Sequence, residues 1–178
     1  HIESGLRSFD RTMPEEINRL LTDAISDYLF TPSTDADENL KKEGIAEEKI
    51  FLVGNIMIDS LFYNNKRAAR SKILPRLGLE RESYAVLTLH RPENVDSKES
   101  LLRIIKAIRE VSCRIPVIFP AHPRTQKKLK EFELLNRFPL IEPLGYLDFL
   151  NLEMNAKFVL TDSGGIQEET TVLDIPCL

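Results

Sequence analysis

Lys157-Phe-Val-Leu-Thr-Asp-Ser-Gly-Gly-Ile-Gln-Glu-Glu169 is the stretch on which the reading of the fold turns. Its first five residues form an apolar run of strand length, and the residues after Ser163 carry helical spacing through Thr171. A strand that passes through two glycines into a helix admits two readings. One is an anion site: the free N–H groups and aligned dipole of a helix N-terminus attract phosphate. Gly164 and Gly165 would let the ligand approach the backbone closely. Ser163 would add a hydroxyl donor. Glu169, about one and a half turns further on, would accept from sugar hydroxyls. The other reading is a plain capped turn. No Lys follows the glycines, so the stretch is not a Walker loop, and it does not spell G-x-G-x-x-G.

Upstream, the same alternation repeats. Strands are expected at Tyr28–Thr31, Ile50–Val53, Ala85–Leu89, Val117–Phe119 and Leu140–Ile141. Helices are expected between them. One follows a capping box at Thr12-Met-Pro-Glu15 and carries an apolar stripe of Ile17, Leu20, Leu21, Ala24, Ile25 and Tyr28. Others run over 34–43, stopped at Gly44, and from Ile56 to about Arg70. Three more open at Ser97, span Thr125–Leu135 and span Leu147–Met154. Strands separated by helices imply parallel pairing with right-handed crossovers. The class is therefore α/β with Rossmann-like parallel sheets. The strands read apolar throughout, which suits sheets covered on both faces. Residues 64–82, rich in Lys and Arg and containing Pro75 and Gly78, are either a solvated surface helix and loop or the joint between two α/β units.

At 178 residues the chain exceeds one typical domain of about 150. Its 42% hydrophobic and 29% charged residues describe an ordinary globular protein. A net charge of −4 argues against a nucleic-acid-binding surface, and no apolar run is long enough to span a bilayer. Two cysteines, Cys113 and Cys177, supply neither a disulfide framework nor a cysteine-rich zinc site. The three histidines lie far apart, so no metal signature is present. The chain begins on His1 inside a motif and closes on the strand-like Asp174-Ile-Pro-Cys-Leu178. A fragment of a longer protein is expected.

Further candidate residues sit where strands end. Ligands of open α/β sheets bind at the carboxyl ends of strands. His90 and Arg91 occupy such a place and suit phosphate contact or proton movement, or the His is simply satisfied in a loop. His122 and Arg124 have the same placement. In Gly145-Tyr-Leu-Asp-Phe149 an aromatic is either core or a platform for a base. Near the start, His1-Ile-Glu-Ser-Gly-Leu-Arg7 and Pro14-Glu-Glu-Ile-Asn-Arg19 bring carboxylates close in sequence. Proton abstraction and return need two such groups in different environments. Alternatively, Glu15 and Glu16 are ordinary first-turn helix charges.

Five stretches in order carry a more specific signal: H-I-E-S-G-L-R (1–7), P-E-E-I-N-R (14–19), G-N-I-M-I-D (54–59), T-L-H-R-P-E-N (88–94) and T-D-S-G-G-I-Q-E-E (161–169). Together they resemble the non-hydrolysing UDP-N-acetylglucosamine 2-epimerases over nearly the whole chain. The resemblance implies the glycosyltransferase-B type of architecture, two Rossmann-like lobes with the substrate between them. Residues 1–67 would be the later part of the first lobe, and 68–178 most of the second, UDP-binding lobe. Ser163, Gly164 and Gly165 would hold the diphosphate, Glu169 the ribose hydroxyls, Phe149 the uracil ring and the Leu144 backbone its edge. His90 would contact the diphosphate and assist the leaving group. Glu3 and Glu15 would be the acid/base carboxylates near the sugar.

The implied reaction is reversible epimerisation at C2 to UDP-N-acetylmannosamine, by elimination and re-addition of UDP through 2-acetamidoglucal. No metal and no cofactor are implied. The implied setting is a cytoplasmic homodimer with a UDP-sugar substrate and no nucleic-acid or membrane partner. Some bacterial members have a second, allosteric substrate site and read H-x-N-P where this chain has His122-Pro-Arg-Thr125. The alternatives are a glycosyltransferase of the same architecture using a UDP-sugar donor, and a non-catalytic nucleotide-sugar-binding module.

Overall fold

The structure, a computed structural model, describes the backbone of residues 1–178 and every side chain except that of Asn136. The chain divides into two compact units, His1–Ser60 and Leu61–Leu178. The division falls inside α3, the helix Ile56–Ala68.

In the first unit, α1 (Pro14–Ile25) and α2 (Thr34–Lys42) accompany two short parallel strands, β1 (Leu29–Thr31) and β2 (Ile50–Leu52). Ile2 bridges to Phe30 on the other side of β1. The capping box expected at Thr12 does not form. The Thr12 hydroxyl donates to Asp10 Oδ1 (2.7 Å), and α1 starts from Met13 without a side-chain cap. Burial on α1 is also not where the apolar stripe predicts. Leu21 and Ile25 are exposed, whereas Glu16 and Asp23 are buried. Segment 1–9 turns backbone N–H groups toward those two carboxylates. Ser8 and Phe9 N–H donate to Glu16 (3.0 and 3.1 Å), and Gly5 N–H donates to Asp23 (3.1 Å). A buried amide needs an acceptor, and here helix carboxylates supply it.

In the second unit the central sheet runs β4 (Val117–Ile118), β3 (Ala85–Thr88), β5 (Phe158–Thr161), all parallel. Ile141 bridges in beyond β4 and Cys177 beyond β5. In chain order this is the doubly wound 3-2-1-4-5 arrangement, and its switch point lies between β3 and β5. The helices are α4 (Ile73–Leu77), α5 (Pro92–Val95), α6 (Lys98–Ser112), α7 (Pro123–Glu131), α8 (Tyr146–Met154) and α9 (Gly164–Leu173).

Alternation along β3 explains why the strands read apolar at every position. Ala85, Leu87 and Leu89 enter one core with Leu101, Ile105 and Leu129 of α6 and α7. Tyr84 and Val86 enter a second core with Ile73 of α4 and Leu152 of α8. Successive strand residues point to opposite faces, so both faces are apolar only where both are covered. Each fully buried Leu, Ile or Val contributes about 1.5–3 kcal/mol.

Residues 64–82 hold α4, whose Ile73 is fully buried, in a stretch that is otherwise mostly exposed. Two elements differ from the sequence expectation. Leu140–Ile141 makes only an isolated bridge. Finally, α7 stops at Glu131, because Glu133 turns left-handed (φ 61°) and Leu134 N–H bonds back to Leu129 O (2.7 Å).

Gly5 has φ 78°, and a Cβ there would lie 2.4 Å from the Ala36 carbonyl oxygen. Gly5→Ala is expected to destabilise the full-length protein by about 2–4 kcal/mol, measured as a lowered urea midpoint. An unchanged midpoint would show that the 1–9 segment does not pack against α2.

Candidate functional site

The carboxyl ends of β3 and β5 are tied together by side chains. Thr88 Oγ1 and Thr161 Oγ1 share a hydrogen bond (2.6 Å), and Thr161 Oγ1 also accepts from Ser163 N–H (3.0 Å). One residue on, Asp162 gathers the opposite loop. Its buried carboxylate accepts from the backbone N–H of His90 (3.0 Å) and Arg91 (2.9 Å) and from Asn94 Nδ2 (3.1 Å). It also pairs with His90 Nδ1 (2.9 Å). Burial, the largest single influence, pushes the Asp162 carboxyl up. The donors from Arg91, Asn94 and His90 together outweigh it and hold the group below its ordinary value. With Nδ1 turned to Asp162, the imidazole is oriented and Nε2 is left for a ligand. Thr125 Oγ1 donates to Leu89 O (2.5 Å) and anchors the strand end from α7.

Ser163 caps α9, and its hydroxyl accepts from Ile166 N–H (3.5 Å). The first N–H groups of a helix have no partner within it. A Cβ built on Gly164 meets nothing within 4 Å, so the approach to those amides is open. Beside this turn lies a cavity of about 320 Å³ lined by Thr88, His90, His122, Leu144, Phe149 and Ser163, among others. That is small for a ligand site but within the usual range. The His90 and His122 rings stand 6.4 Å apart across their centroids.

The structure therefore brings His90, Leu144, Phe149 and Ser163 of the sequence candidates to one cavity. Phe149 lines this cavity and also packs against the second core. Gly164 and Gly165 form the first turn of α9. Glu169 lies deeper on the same helix, 6% exposed, and accepts a hydrogen bond from the Tyr146 hydroxyl (2.9 Å). On α8, Glu153 is fully buried and neither of its oxygens has a hydrogen-bond partner. Burial first, and the neighbouring Glu169 charge second, push its carboxyl far above the usual carboxylate range.

In the first unit, Glu15 is exposed in the first turn of α1, where the helix dipole favours its charge. Glu3 is half-buried with φ 62°, a strained conformation for a residue with a side chain. The loop that carries it is pinned by Asp23 and Glu16. Asp23 meets Gly5 N–H, His1 Nδ1 (2.5 Å) and Arg7 Nη2 (2.7 Å). The Ser8 N–H is the main cause that holds the Glu16 carboxyl below its usual range.

Sequence reading did not identify the roles of Asp162, Asp23 and Glu153, of Tyr146 as a donor, or of Glu16 as an acceptor for the 8–9 backbone. Asp162 had a signal: a carboxylate at a strand end, one residue before the glycine turn. Glu153 also had one, since it stands three residues after the buried Leu150 and so faces the core.

A parallel sheet of doubly wound order, with a cavity at its switch point and a glycine turn opening a helix there, defines a Rossmann-like unit with a candidate ligand site. The UDP-N-acetylglucosamine 2-epimerase family model matches residues 1–178. The chain belongs to that family. It is 50% identical to a UDP-N-acetylglucosamine 2-epimerase of Methanocaldococcus jannaschii over 100% of this chain and 52% of that protein. A Methanococcus maripaludis protein of the same name is 48% identical over the same shares. The crystal structure of the M. jannaschii enzyme in complex with UDP-GlcNAc and UDP matches with a TM-score of 0.89, over 99% of this chain and 51% of that one. The chain spans about half the length of the curated relatives it matches.

The raised Glu153 carboxyl has a consequence for stability. An unfolded glutamate titrates at about 4.3, and folded Glu153 keeps its proton well above that. Between those values the folded state binds more protons, so its contribution is complete below the unfolded pKa and is lost as pH rises through the folded one. Glu153→Gln removes this slope. Relative to the parent protein, the variant is expected to gain more than about 1 kcal/mol between about pH 5 and about pH 8. Parallel denaturant series across that range would measure it, and a constant difference would mean that Glu153 is ionised in the fold.

Proposed function

We propose that the full-length protein interconverts UDP-N-acetylglucosamine and UDP-N-acetylmannosamine by inverting C2. Residues 1–67 are read as the later part of one Rossmann-like lobe and 68–178 as most of the UDP-binding lobe. The observation that carries the reading is the cavity at the β3/β5 switch point. There His90, Leu144, Phe149 and Ser163, which the motif resemblance assigns to one ligand, converge from separate elements.

The chemistry accounts for the parts. The hydrogen on sugar C2 is not acidic, so a free carbanion is unfavourable. Loss of that proton as the C1–O bond to UDP breaks avoids it and yields 2-acetamidoglucal and UDP. Re-addition of UDP, with protonation from the opposite face, gives the epimer. The departing diphosphate needs preorganised donors. We assign that role to Ser163, Gly164 and Gly165 and the open turn of α9. His90, oriented by Asp162, is assigned to the diphosphate and the leaving oxygen. Phe149 is assigned to the uracil ring, the Leu144 backbone to its edge and Glu169 to the ribose hydroxyls. Glu3 and Glu15 are assigned the proton exchange. Their separate environments, one strained and half-buried, one exposed on a helix dipole, support two different tasks. The relatives' substrate supports the choice of sugar nucleotide, and no step requires a cofactor. Among the described residues no helix is long and apolar enough to cross a membrane. A cytoplasmic homodimer remains the setting implied by the motif resemblance.

In deuterated water the full-length protein is expected to incorporate deuterium at C2 of UDP-N-acetylglucosamine, read by NMR. Absence of exchange, with transfer of the sugar to an added acceptor, would replace the reading with a glycosyltransferase. Glu15→Gln should lower turnover by about two orders of magnitude or more while UDP affinity stays within a few-fold. Ser163→Ala should weaken UDP binding by about 1 kcal/mol, measured by calorimetry. Unaltered affinity would remove Ser163 from the diphosphate site.

A further inference from the structure

Glu153 and Glu169 form a carboxyl pair that the proposed reaction leaves half unused. Glu169, on α9, is 6% exposed and accepts from the Tyr146 hydroxyl at 2.9 Å. Glu153, on α8, is 0% exposed, and no donor reaches either of its oxygens. The titratable groups facing it are Glu169 from α9 and Tyr146 from its own helix. From α4, Arg76 is engaged instead with Asp148 (3.6 Å). Among the described residues neither Glu153 nor Glu169 pairs with a Lys, Arg or His. Two ionised carboxylates cannot coexist in such a place, because both would be desolvated and nothing offsets their repulsion. One proton must therefore be retained. It belongs on Glu153, which is more deeply buried and has no donors, whereas Glu169 has one. A protonated carboxyl is a hydrogen-bond donor, and Glu169 is the acceptor beside it.

We propose that Glu153 is a positioning residue for the nucleotide site: from the buried side its carboxyl donates a hydrogen bond to Glu169 and holds that side chain in one orientation for the ribose hydroxyls. This rests on the assignment of Glu169 to the ribose. Two donors, Tyr146 from one side and Glu153 from the other, fix the Glu169 side chain before the ligand arrives. The remaining lone pairs are left to a vicinal diol. Preorganisation of this kind reduces the ordering cost of binding. It acts only on ligands that present hydroxyls to Glu169.

That selectivity sets the test. In the full-length protein, Glu153→Met removes the proton and keeps an apolar side chain of similar length. It should weaken UDP by about five- to ten-fold, as for one lost hydrogen bond, and leave the affinity of 2′,3′-dideoxy-UDP within two-fold (~2). Glu153→Gln, whose amide still donates, should restore UDP binding to near that of the parent. Equal weakening of both ligands by Glu153→Met would mark a merely structural role and overturn the proposal, as would no change in either. Glu169→Ala serves as the separate control. If it leaves the preference for UDP over the dideoxy ligand intact, the ribose assignment itself fails. If it abolishes that preference while Glu153→Met does not touch it, the assignment stands and the role of Glu153 falls. Infrared spectroscopy covers the case in which Glu153→Met does not fold. The parent should show the carbonyl band of a buried neutral acid at neutral pH, and Glu153→Gln should lose it. A parent protein without that band would overturn the proposal.

Discussion

The second unit depends on what happens just beyond the ends of β3 and β5. These strands are neighbours in the sheet but far apart in sequence, and backbone pairing stops at Thr88 and Thr161. Asp162 carries the connection further by accepting from the His90 and Arg91 amides and from Asn94. Two loops that would otherwise diverge at the switch point are thereby held as one surface. The same carboxylate sets the ring of His90, and its neighbour Ser163 caps α9. The glycine turn and the histidine are thus positioned by a group that need touch no ligand. Removing such a carboxylate would break several hydrogen bonds between the two loops at once.

How far the sequence disclosed this follows from which physical signals are local. The class and parallel sheet were legible, because β3 buries alternate residues in two different cores and so reads apolar at every position. The end of α2 was legible because Gly44 supplies the left-handed residue. The end of α7 was not, since Glu133 adopts the same conformation without glycine, and neither was the end of α9, where Asp174 does so. The backward bonds that close these helices are alike: Ile45 to Leu40, Leu134 to Leu129 and Ile175 to Thr170. Glycine announces such a cap; a strained Glu or Asp does not.

Among the candidate residues, the sequence named positions within its motifs and not the contacts made between elements. His90 and Ser163 lie in quoted motifs, Leu144 and Phe149 were implied by the family resemblance alone, and the four share a cavity. Asp162 sits inside a motif, but its work is done on residues of another loop. In the first unit, α1 shows the same limit more sharply. Its periodicity identifies a helix but not which side is inward. Backbone amides of residues 5, 8 and 9 find their acceptors in Asp23 and Glu16, so these two carboxylates of α1 are buried against the neighbouring segment. Hydrophobic pattern does not show which polar side chains of a helix serve the backbone groups of a neighbouring segment.

Buried carboxyls thus appear in this chain in two opposite states, and one rule separates them. Asp162 and Glu16 are surrounded by N–H donors, which stabilise charge more than burial penalises it, and both are held below their ordinary values. Glu153 has burial without donors and another carboxylate nearby, and it is driven the other way. The first kind organises backbone by accepting hydrogen bonds; the second organises a neighbouring side chain by giving one. A substitution of Asp by Asn or of Glu by Gln therefore has opposite meanings at the two kinds of place. At Asp162 it weakens several charge-assisted bonds at once. At Glu153 it replaces one neutral donor with another.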